Sequence, residues 1–219
     1  KDDFARDALD RVRKAGVRAA SLTRQLLMFS RKQAIEPRIM DLGQLVTDSH
    51  KMFLRLIGED IEVTNVISEN LWPVRVDPGQ MEQVLMNLLV NARDALPTGG
   101  IIRVEVANIR YDGVATPQMG TVPDGSWVRM SVTDNGIGIP ADIQSKVFEP
   151  FFTTKDRDRG TGRGGSTVFC IVQQAGGIVR LYSEVGKGTT FHVFLPAAEG
   201  QKETLTQAIE TQVEPRATA

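Results

Sequence analysis

Hydrophobic positions in the N-terminal segment recur at alternating steps of three and four residues. The apolar set is Ala5, Ala8, Val12, Ala15, Ala19, Leu22, Leu26 and Phe29. This heptad spacing predicts one long coiled-coil-like helix, whose narrow seam is stable only against partner helices. Arg31, Lys32 and then Pro37 mark its end, so residues 1–36 are predicted to form a separate helical segment. The alternative is an amphipathic helix that caps the following domain.

After Pro37 the apolar pattern changes between helical and strand periods. Helices are expected near residues 42–57, 78–95 and 166–175, and strands near 60–67, 73–76, 101–109, 127–133, 177–184 and 188–195. Helices on one face of a mixed sheet make an α+β two-layer sandwich, predicted here for residues 37–196. Residues 112–125 predict an exposed loop, and the polar residues 197–219 predict a disordered tail or linker.

The predicted helix at 78–95 carries two asparagines one turn apart, Asn87 and Asn91. Its core-facing stripe consists of Val84, Leu85, Leu88, Leu89, Ala92 and Ala95. Both amides should therefore lie at the border of the stripe. Amide oxygens bind a hard cation such as Mg²⁺ without adding charge, so the pair suggests a metal-bridged polyphosphate site. Two satisfied polar residues on a half-buried helix would give the same pattern.

Three glycine-rich segments follow in order along the chain. Residues 134–140 end a strand-like run with a carboxylate, and glycines there let the backbone approach a ring closely. The run at 160–166 precedes a helix, where exposed N–H groups and the helix dipole attract phosphate. Residues 186–190 predict a hairpin. Each segment alone predicts no more than a turn, whereas their order and spacing are far more specific.

Together with the paired asparagines, these motifs resemble the ATP-binding domain of sensor histidine kinases, in the superfamily that also holds DNA gyrase, Hsp90 and MutL. The resemblance covers residues 37–196 and implies a Bergerat-type ATP-binding fold with ATP and Mg²⁺ as cofactors. In the family's terms residues 87–91 fall in the N box, 134–138 in the G1 box, 148–152 in the F box and 160–164 in the G2 box. The implied reaction is transfer of the γ-phosphoryl group of ATP to a histidine, and then to a response-regulator aspartate.

The resemblance also implies roles for individual residues. Asp134 would read adenine, and Asn91, together with Asn87, would hold Mg²⁺. The other residues expected around the nucleotide are Asp94, Gly136, Gly138, Ile139, Phe151, Phe152, Thr154, Lys155, Gly160, Thr161, Gly162, Arg163, Gly164 and Thr189. No residue of the chain is assigned a catalytic role.

Asn87 decides between two branches of the superfamily. ATP-hydrolysing members carry a glutamate at this position as general base, and an amide cannot usefully accept a proton near neutral pH. Phosphoryl transfer to an already nucleophilic imidazole needs mainly positioning and charge stabilisation. Glu82 lies off the face of the asparagines and is predicted to be a solvated surface carboxylate. A histidine kinase is therefore expected, with a hydrolytic ATPase as the rival.

The two histidines, His50 and His192, are not followed by an acidic residue as the family's phosphoacceptor is. Both are expected to be structural or solvent residues, with His192 facing away from the core on its strand. By resemblance, residues 1–36 are the second helix of the dimerisation hairpin, and the phosphoacceptor lies in a missing upstream helix. The expected partners are ATP, that histidine-bearing helix, a response regulator or receiver domain, and a second copy in a homodimer.

Composition narrows the class of protein further. The net charge of −1 gives no sign of a nucleic-acid partner. The single Cys170 cannot form an internal disulfide, which favours a reducing cytoplasm. No apolar run approaches the ~20 residues that cross a bilayer, so this portion is expected to be cytoplasmic even where its parent protein is membrane-anchored.

The G2 segment departs from the family pattern at two positions, where Arg163 and Gly165 replace leucines. Burying a leucine is worth about 1.5–3 kcal/mol, so the lid is expected to be loose and two restored leucines to tighten nucleotide retention. Arg163 could offset part of the loss by pairing with a phosphate. A catalytically weak nucleotide-binding module or scaffold is therefore the second alternative.

Overall fold

The computed structural model describes residues 35–58, 60–112, 122–150, 152–153 and 164–198. The chain divides into two compact units, Lys1–Glu36 and Pro37–Ala219, and nearly all described residues belong to the second. Residues 1–34 of the helical segment predicted for 1–36, and residues 199–219 of the tail predicted for 197–219, lie outside the described residues. The prediction of a disordered tail is wrong for Ala197 and Ala198, whose N–H groups donate to Ser126 O and Pro73 O.

A five-stranded mixed sheet, a separate two-stranded sheet and their helices form the described part of the chain. The strands are β1 (Arg38–Met40), β2 (Ile61–Ile67), β3 (Val74–Val76), β4 (Gly100–Tyr111), β5 (Gly125–Asp134), β6 (Ile178–Glu184) and β7 (Gly188–Pro196). The helices are α1 (Leu42–Ile57), α2 (Pro78–Asp94), α3 (Ala141–Gln144) and α4 (Gly164–Gln174). The strand order is β2-β4-β5-β7-β6, in which β2 and β4 are parallel and the other neighbours antiparallel. The predicted mixed α+β architecture is confirmed.

The two long helices α1 and α2 begin at aspartates that cap them. The Asp41 carboxylate accepts from the N–H of Gly43 at 2.7 Å, and the Asp77 carboxylate accepts from the N–H of Gln80 at 3.0 Å. Pro78 follows Asp77 in the first turn of α2, where its missing N–H costs nothing. Each cap satisfies a backbone N–H in the first turn and so fixes where its helix begins.

The main core lies between the sheet and the helices α1, α2 and α4. The stripe predicted on α2 is buried as expected, except that Ala95 is half-buried at the helix end. On β7 the buried Phe191, Val193 and Leu195 face this core. The core therefore holds α2 against the central strands β4, β5 and β7.

The opposite face of the sheet carries a second, smaller apolar cluster. Val122, Trp127 and Phe194 are buried there. The prediction of an exposed loop through 112–125 is wrong at Val122, which is fully buried against Trp127 and Phe194, whereas residues 123–125 are exposed as predicted. A single apolar residue in a Gly- and Pro-rich stretch gives no periodic signal of burial.

Two short elements, β1 and α3, were not predicted from the sequence, since three or four residues are too few to show a period. Strand β1 pairs antiparallel with β3 in a separate two-stranded sheet, with Met40 opposite Val74. Val74 also forms a bridge to Ala197, and the N–H of Ala198 donates to Pro73 O at 2.8 Å. Strand β3 is thus flanked by the backbone that precedes α1 and the backbone that follows β7.

Candidate functional site

Asn87 and Asn91 are both half-buried on α2, at the border of its apolar stripe as predicted. Gly164, the first residue of α4, lies opposite them. A Cβ on Gly164 would stand 3.7 Å from Asn91 Nδ2 and 4.0 Å from Asn87 Oδ1. Two neutral side-chain amides therefore lie near the start of a helix, where the N–H groups of the first turn and the helix dipole favour an anion. Glu82 is exposed on the same helix, as predicted.

Asp134 is the last residue of β5 and is only 5% exposed. Its Oδ1 accepts a hydrogen bond from the N–H of Gly136 at 2.9 Å. Burial raises the pKa of Asp134 above its ordinary value, and hydrogen bonds from the N–H groups of Gly136 and Thr189 offset only part of this. Because burial of a carboxylate costs free energy, a hydrogen-bond donor on a ligand would stabilise it strongly.

The turn after Asp134 packs tightly because it contains glycines. A Cβ on Gly136 would collide with Ala95 O, and one on Gly138 (φ +71°) would collide with Glu184 O. The turn is also hydrogen-bonded on both sides, through Ile137 N–H to Ala95 O at 3.0 Å and Gly186 N–H to Ile137 O at 2.9 Å. The turn is therefore wedged between the end of α2 and the β6–β7 hairpin.

Two residues outside the predicted set fasten Ile139 in this turn. The hydroxyl oxygen of Ser183 accepts from Ile139 N–H at 2.8 Å. The Gln144 Nε2 group donates to Ile139 O at 2.8 Å and to Ser183 O at 2.9 Å. Neither residue was singled out from the sequence. The available signal was the hairpin register, which pairs Ser183 with Thr189.

Only some of the remaining predicted residues lie in the described part of the chain. Asp94 lies at the end of α2 in an ion pair with Arg93 at 2.8 Å, and Arg93 Nη1 also donates to Leu56 O at 3.2 Å. Phe152 is half-buried. The predicted residues that lie outside the described part of the chain are Phe151, Thr154, Lys155, Gly160, Thr161, Gly162 and Arg163.

Gly165 contradicts the expectation that a leucine there would simply add packing. A Cβ at this position would collide with the backbone oxygen of Val147. That oxygen cannot rotate away as a side chain would, so a larger residue needs the backbone at Val147 to shift. The prediction that a leucine at position 165 would add favourable packing is therefore wrong.

The described ranges contain no cluster of three or more His, Cys, Asp or Glu side chains that could hold a metal ion. None of the helices described is both long and apolar enough to cross a membrane.

Residues 76–199 match the family model of histidine kinase-, DNA gyrase B-, and HSP90-like ATPases. The chain belongs to this family. Within it, the chain corresponds to the ATPase domain that sensor histidine kinases contain.

The relatives of this ATPase domain are sensor kinases. The sensor kinase CckA of Brucella abortus (strain 2308) is 50% identical over 179 residues, which cover 82% of this chain and 19% of that protein. The sensor histidine kinase ZraS of Escherichia coli (strain K12) is 33% identical over 177 residues, covering 78% of this chain and 34% of that protein. The chain therefore spans about a fifth to a third of these curated relatives.

Solved structures agree with the fold of this histidine kinase ATPase domain. Full-length ShkA in complex with AMPPNP matches with a TM-score of 0.65 and 25% identity, over 88% of this chain and 39% of that one. A mycobacterial sensor histidine kinase, MprB, matches with a TM-score of 0.58 and 26% identity, over 73% of this chain and 97% of that one. The Bergerat-type fold is confirmed, and neither the scaffold nor the hydrolytic ATPase alternative is favoured.

Proposed function

We propose that this domain binds ATP with Mg²⁺ between α2, the 134–140 turn and the start of α4, and donates the γ-phosphoryl group to a histidine outside this sequence. The observation that carries the proposal is the convergence of Asn87, Asn91 and Gly164. Neutral amide oxygens beside a helix start suit a polyphosphate that brings its own negative charge and its own cation. The AMPPNP complex of ShkA supports an adenine nucleotide as the ligand.

Adenine recognition is assigned to Asp134, with Gly136, Gly138, Ile139 and Thr189 around the base. The Asp134 carboxylate is nearly dry and accepts hydrogen bonds only, so it suits the exocyclic amine of adenine. Guanine offers a carbonyl at that place and would leave the carboxylate unpaired, at a cost of about 1–3 kcal/mol.

Asn91 and Asn87 are the residues that would hold Mg²⁺, with Asn91 the more direct ligand. Their oxygens are of the hard type that this cation prefers, and the phosphates would supply the charged ligands. When bound, the cation neutralises the charge that develops on the transferred phosphoryl group. The backbone N–H groups at the start of α4 would orient the phosphates, and the family resemblance assigns phosphate contacts to Lys155, Gly160 and Gly162 as well.

The reaction is assigned to phosphoryl transfer rather than hydrolysis because Asn87 offers no general base. Water must be deprotonated to attack, whereas a neutral imidazole is already a nucleophile. The acceptor would be the histidine of an upstream hairpin helix in a homodimer, with residues 1–36 as the second helix. A response regulator or receiver domain would take the phosphoryl group onward, and the site would work in the cytoplasm, where ATP is available.

Two experiments test this function. Calorimetry with a non-hydrolysable ATP analogue should show binding that strengthens when Mg²⁺ is added. A longer protein that includes the upstream hairpin helix should become labelled on histidine by [γ-³²P]ATP, while the chain itself should release little phosphate. Absence of nucleotide binding, or steady ATP turnover by the chain alone, would contradict the proposal.

A further inference from the structure

The hydroxyl group of Ser183 lies at the centre of three polar contacts on β6. The hydroxyl oxygen accepts from Ile139 N–H at 2.8 Å and lies 2.9 Å from Thr189 Oγ1, and the hydroxyl O–H donates to Gly188 O at 3.0 Å. Gln144 holds the backbone oxygen of Ser183 at 2.9 Å and so fixes the strand from which the hydroxyl projects. Ser183 thus joins the Gly-rich turn to the first residues of β7.

The single proton of the Ser183 hydroxyl determines which group donates in each of its three contacts. A serine hydroxyl has one proton and two lone pairs. The oxygen of Gly188 carries no proton, so the Ser183 proton goes there, and one lone pair takes Ile139 N–H. The contact with Thr189 is then a hydrogen bond only when Thr189 donates into the second lone pair. The Thr189 proton is therefore directed at Ser183, and the Thr189 lone pairs are left to face other neighbours.

The neighbour on the other side of Thr189 is Asp134. Strand register places Ser183, Thr189 and Asp134 in one row across β6, β7 and β5, on the same face of the sheet. Thr189 and Asp134 are only 4% and 5% exposed, so water cannot readily satisfy a misdirected proton here. The direction of the Thr189 hydroxyl is thus set by its protein neighbours.

We propose that Ser183 is a positioning residue for nucleotide specificity, which holds the Thr189 hydroxyl so that its lone pairs, together with the Asp134 carboxylate, make an acceptor-only wall for the base. This inference rests on the proposed binding of adenine at Asp134. An exocyclic amine carries two N–H bonds and matches two adjacent acceptors, whereas a guanine carbonyl meets only lone pairs.

Removal of Ser183 should change specificity more than affinity. In Ser183→Ala the Thr189 proton loses its acceptor, so the hydroxyl can turn and donate to a guanine carbonyl. The ratio of ATP to GTP affinity should fall about two- to tenfold, the worth of one neutral hydrogen bond. A residue that merely supported the fold would weaken both nucleotides together and leave the ratio unchanged.

The experiment is calorimetry with Mg²⁺ and the non-hydrolysable analogues of ATP and GTP. It compares the unmodified chain with Ser183→Ala, Ser183→Thr and Ser145→Ala. Ser183→Thr keeps the hydroxyl and should restore the ratio. Ser145 is exposed beside α3, so its alanine variant is the matched control and should keep the ratio too. A lowered ratio in Ser183→Ala alone supports the proposal.

The other outcomes separate this inference from the proposed function. An unchanged ratio in Ser183→Ala, with ATP still preferred by the unmodified chain, would overturn the role of Ser183 and leave ATP binding intact. Failure of the unmodified chain to bind either analogue would overturn both. Where Ser183→Ala does not fold, Ser183→Cys keeps the volume but offers sulfur, a poor acceptor, and should lower the ratio in the same way.

Discussion

Asp134 faces Thr189 across the last pair of the β5–β7 ladder, and both side chains are almost fully buried. The packing that excludes water from this carboxylate is also what would let it discriminate between bases, because water cannot replace a missing hydrogen bond from the base. The site therefore carries a cost in stability before any ligand binds, and this cost can be measured.

Asp134→Asn should make the nucleotide-free protein more stable at neutral pH while weakening ATP binding by about 1–3 kcal/mol. Burial raises the pKa of Asp134, so the wild-type carboxyl contributes its full stability only below the ordinary aspartate pKa and loses it as pH rises through the raised value. Thermal unfolding should show the gain at pH 7 and little gain in acid. Asp142→Asn, at an exposed aspartate, is the control; equal gains at both pH values would contradict the argument.

Asn91→Ala should lower the affinity for ATP roughly tenfold or more with Mg²⁺ present and much less without it, since the amide oxygen is the proposed ligand. Asn87→Ala should have a smaller effect of the same kind. Calorimetry with and without Mg²⁺ measures both. Glu82→Gln on the exposed side of α2 is the matched control, and equal losses with and without the cation would remove Asn91 from the metal site.

Gly138→Ala should be far more destabilising than Gly186→Ala. Both glycines have positive φ, +71° and +78°, so both variants carry the ~1 kcal/mol strain of a left-handed residue. A Cβ at Gly186 meets open space, whereas one at Gly138 collides with Glu184 O. Urea unfolding of the two variants checks this, and similar free energies of unfolding would show that the close contact is not required.

Gly165→Leu should lower the melting temperature, because its Cβ meets the Val147 backbone oxygen, and overpacking of this kind costs about 1–3 kcal/mol. Gly165→Ala should do so to a smaller extent. Thermal shift with and without Mg-ATP measures the effect. A leucine variant that is stabilised by nucleotide more than the unmodified chain would revive the expectation drawn from the family pattern.

His192 should make the protein sensitive to moderate acid. Burial, with a smaller contribution from Arg129, lowers its pKa to about 4, while Glu105 opposes the shift. The unfolded chain takes up the proton first, so stability should fall as pH drops from about 6.5 towards 4. His192→Gln, which can still bond the Ser131 hydroxyl, should flatten this slope in urea unfolding, and His50→Gln is the control. Parallel slopes for all three proteins would contradict the assignment.

The burial of a residue was predictable where it follows from the spacing of apolar residues along one helix or strand. The stripe on α2 and the alternation of β7 required only side-chain geometry, and they placed Asn87 and Asn91 at the edge of the core. The alternation also put His192 on the face away from the helices. It did not anticipate that this side chain is half-buried, because the cover beside it includes Phe194 from the second apolar cluster.

Residues whose role depends on contacts distant in sequence were not predictable in this way. Ser183 is an ordinary polar residue in a strand until the register brings it to Thr189 and the turn brings Ile139 to it. Gly165 matches a family position where leucine is usual, and only the placement of Val147 rules a side chain out. Such contacts depend on how separate elements pack, which local patterning does not encode.

The flanking of β3 has a consequence for how this domain can be combined with others. Val74 pairs with Met40 on one side and with Ala197 on the other. Met40, where the chain enters the domain, and Ala197, where it leaves, are therefore two strand spacings apart, or about 10 Å. A domain whose ends lie close together can be inserted into a surface loop of another protein without separating the two sides of that loop. For the same reason its ends can be joined by a short linker and new termini opened elsewhere, as in circular permutation. The points where the backbone enters and leaves this domain therefore meet the distance requirement for domain insertion and for circular permutation.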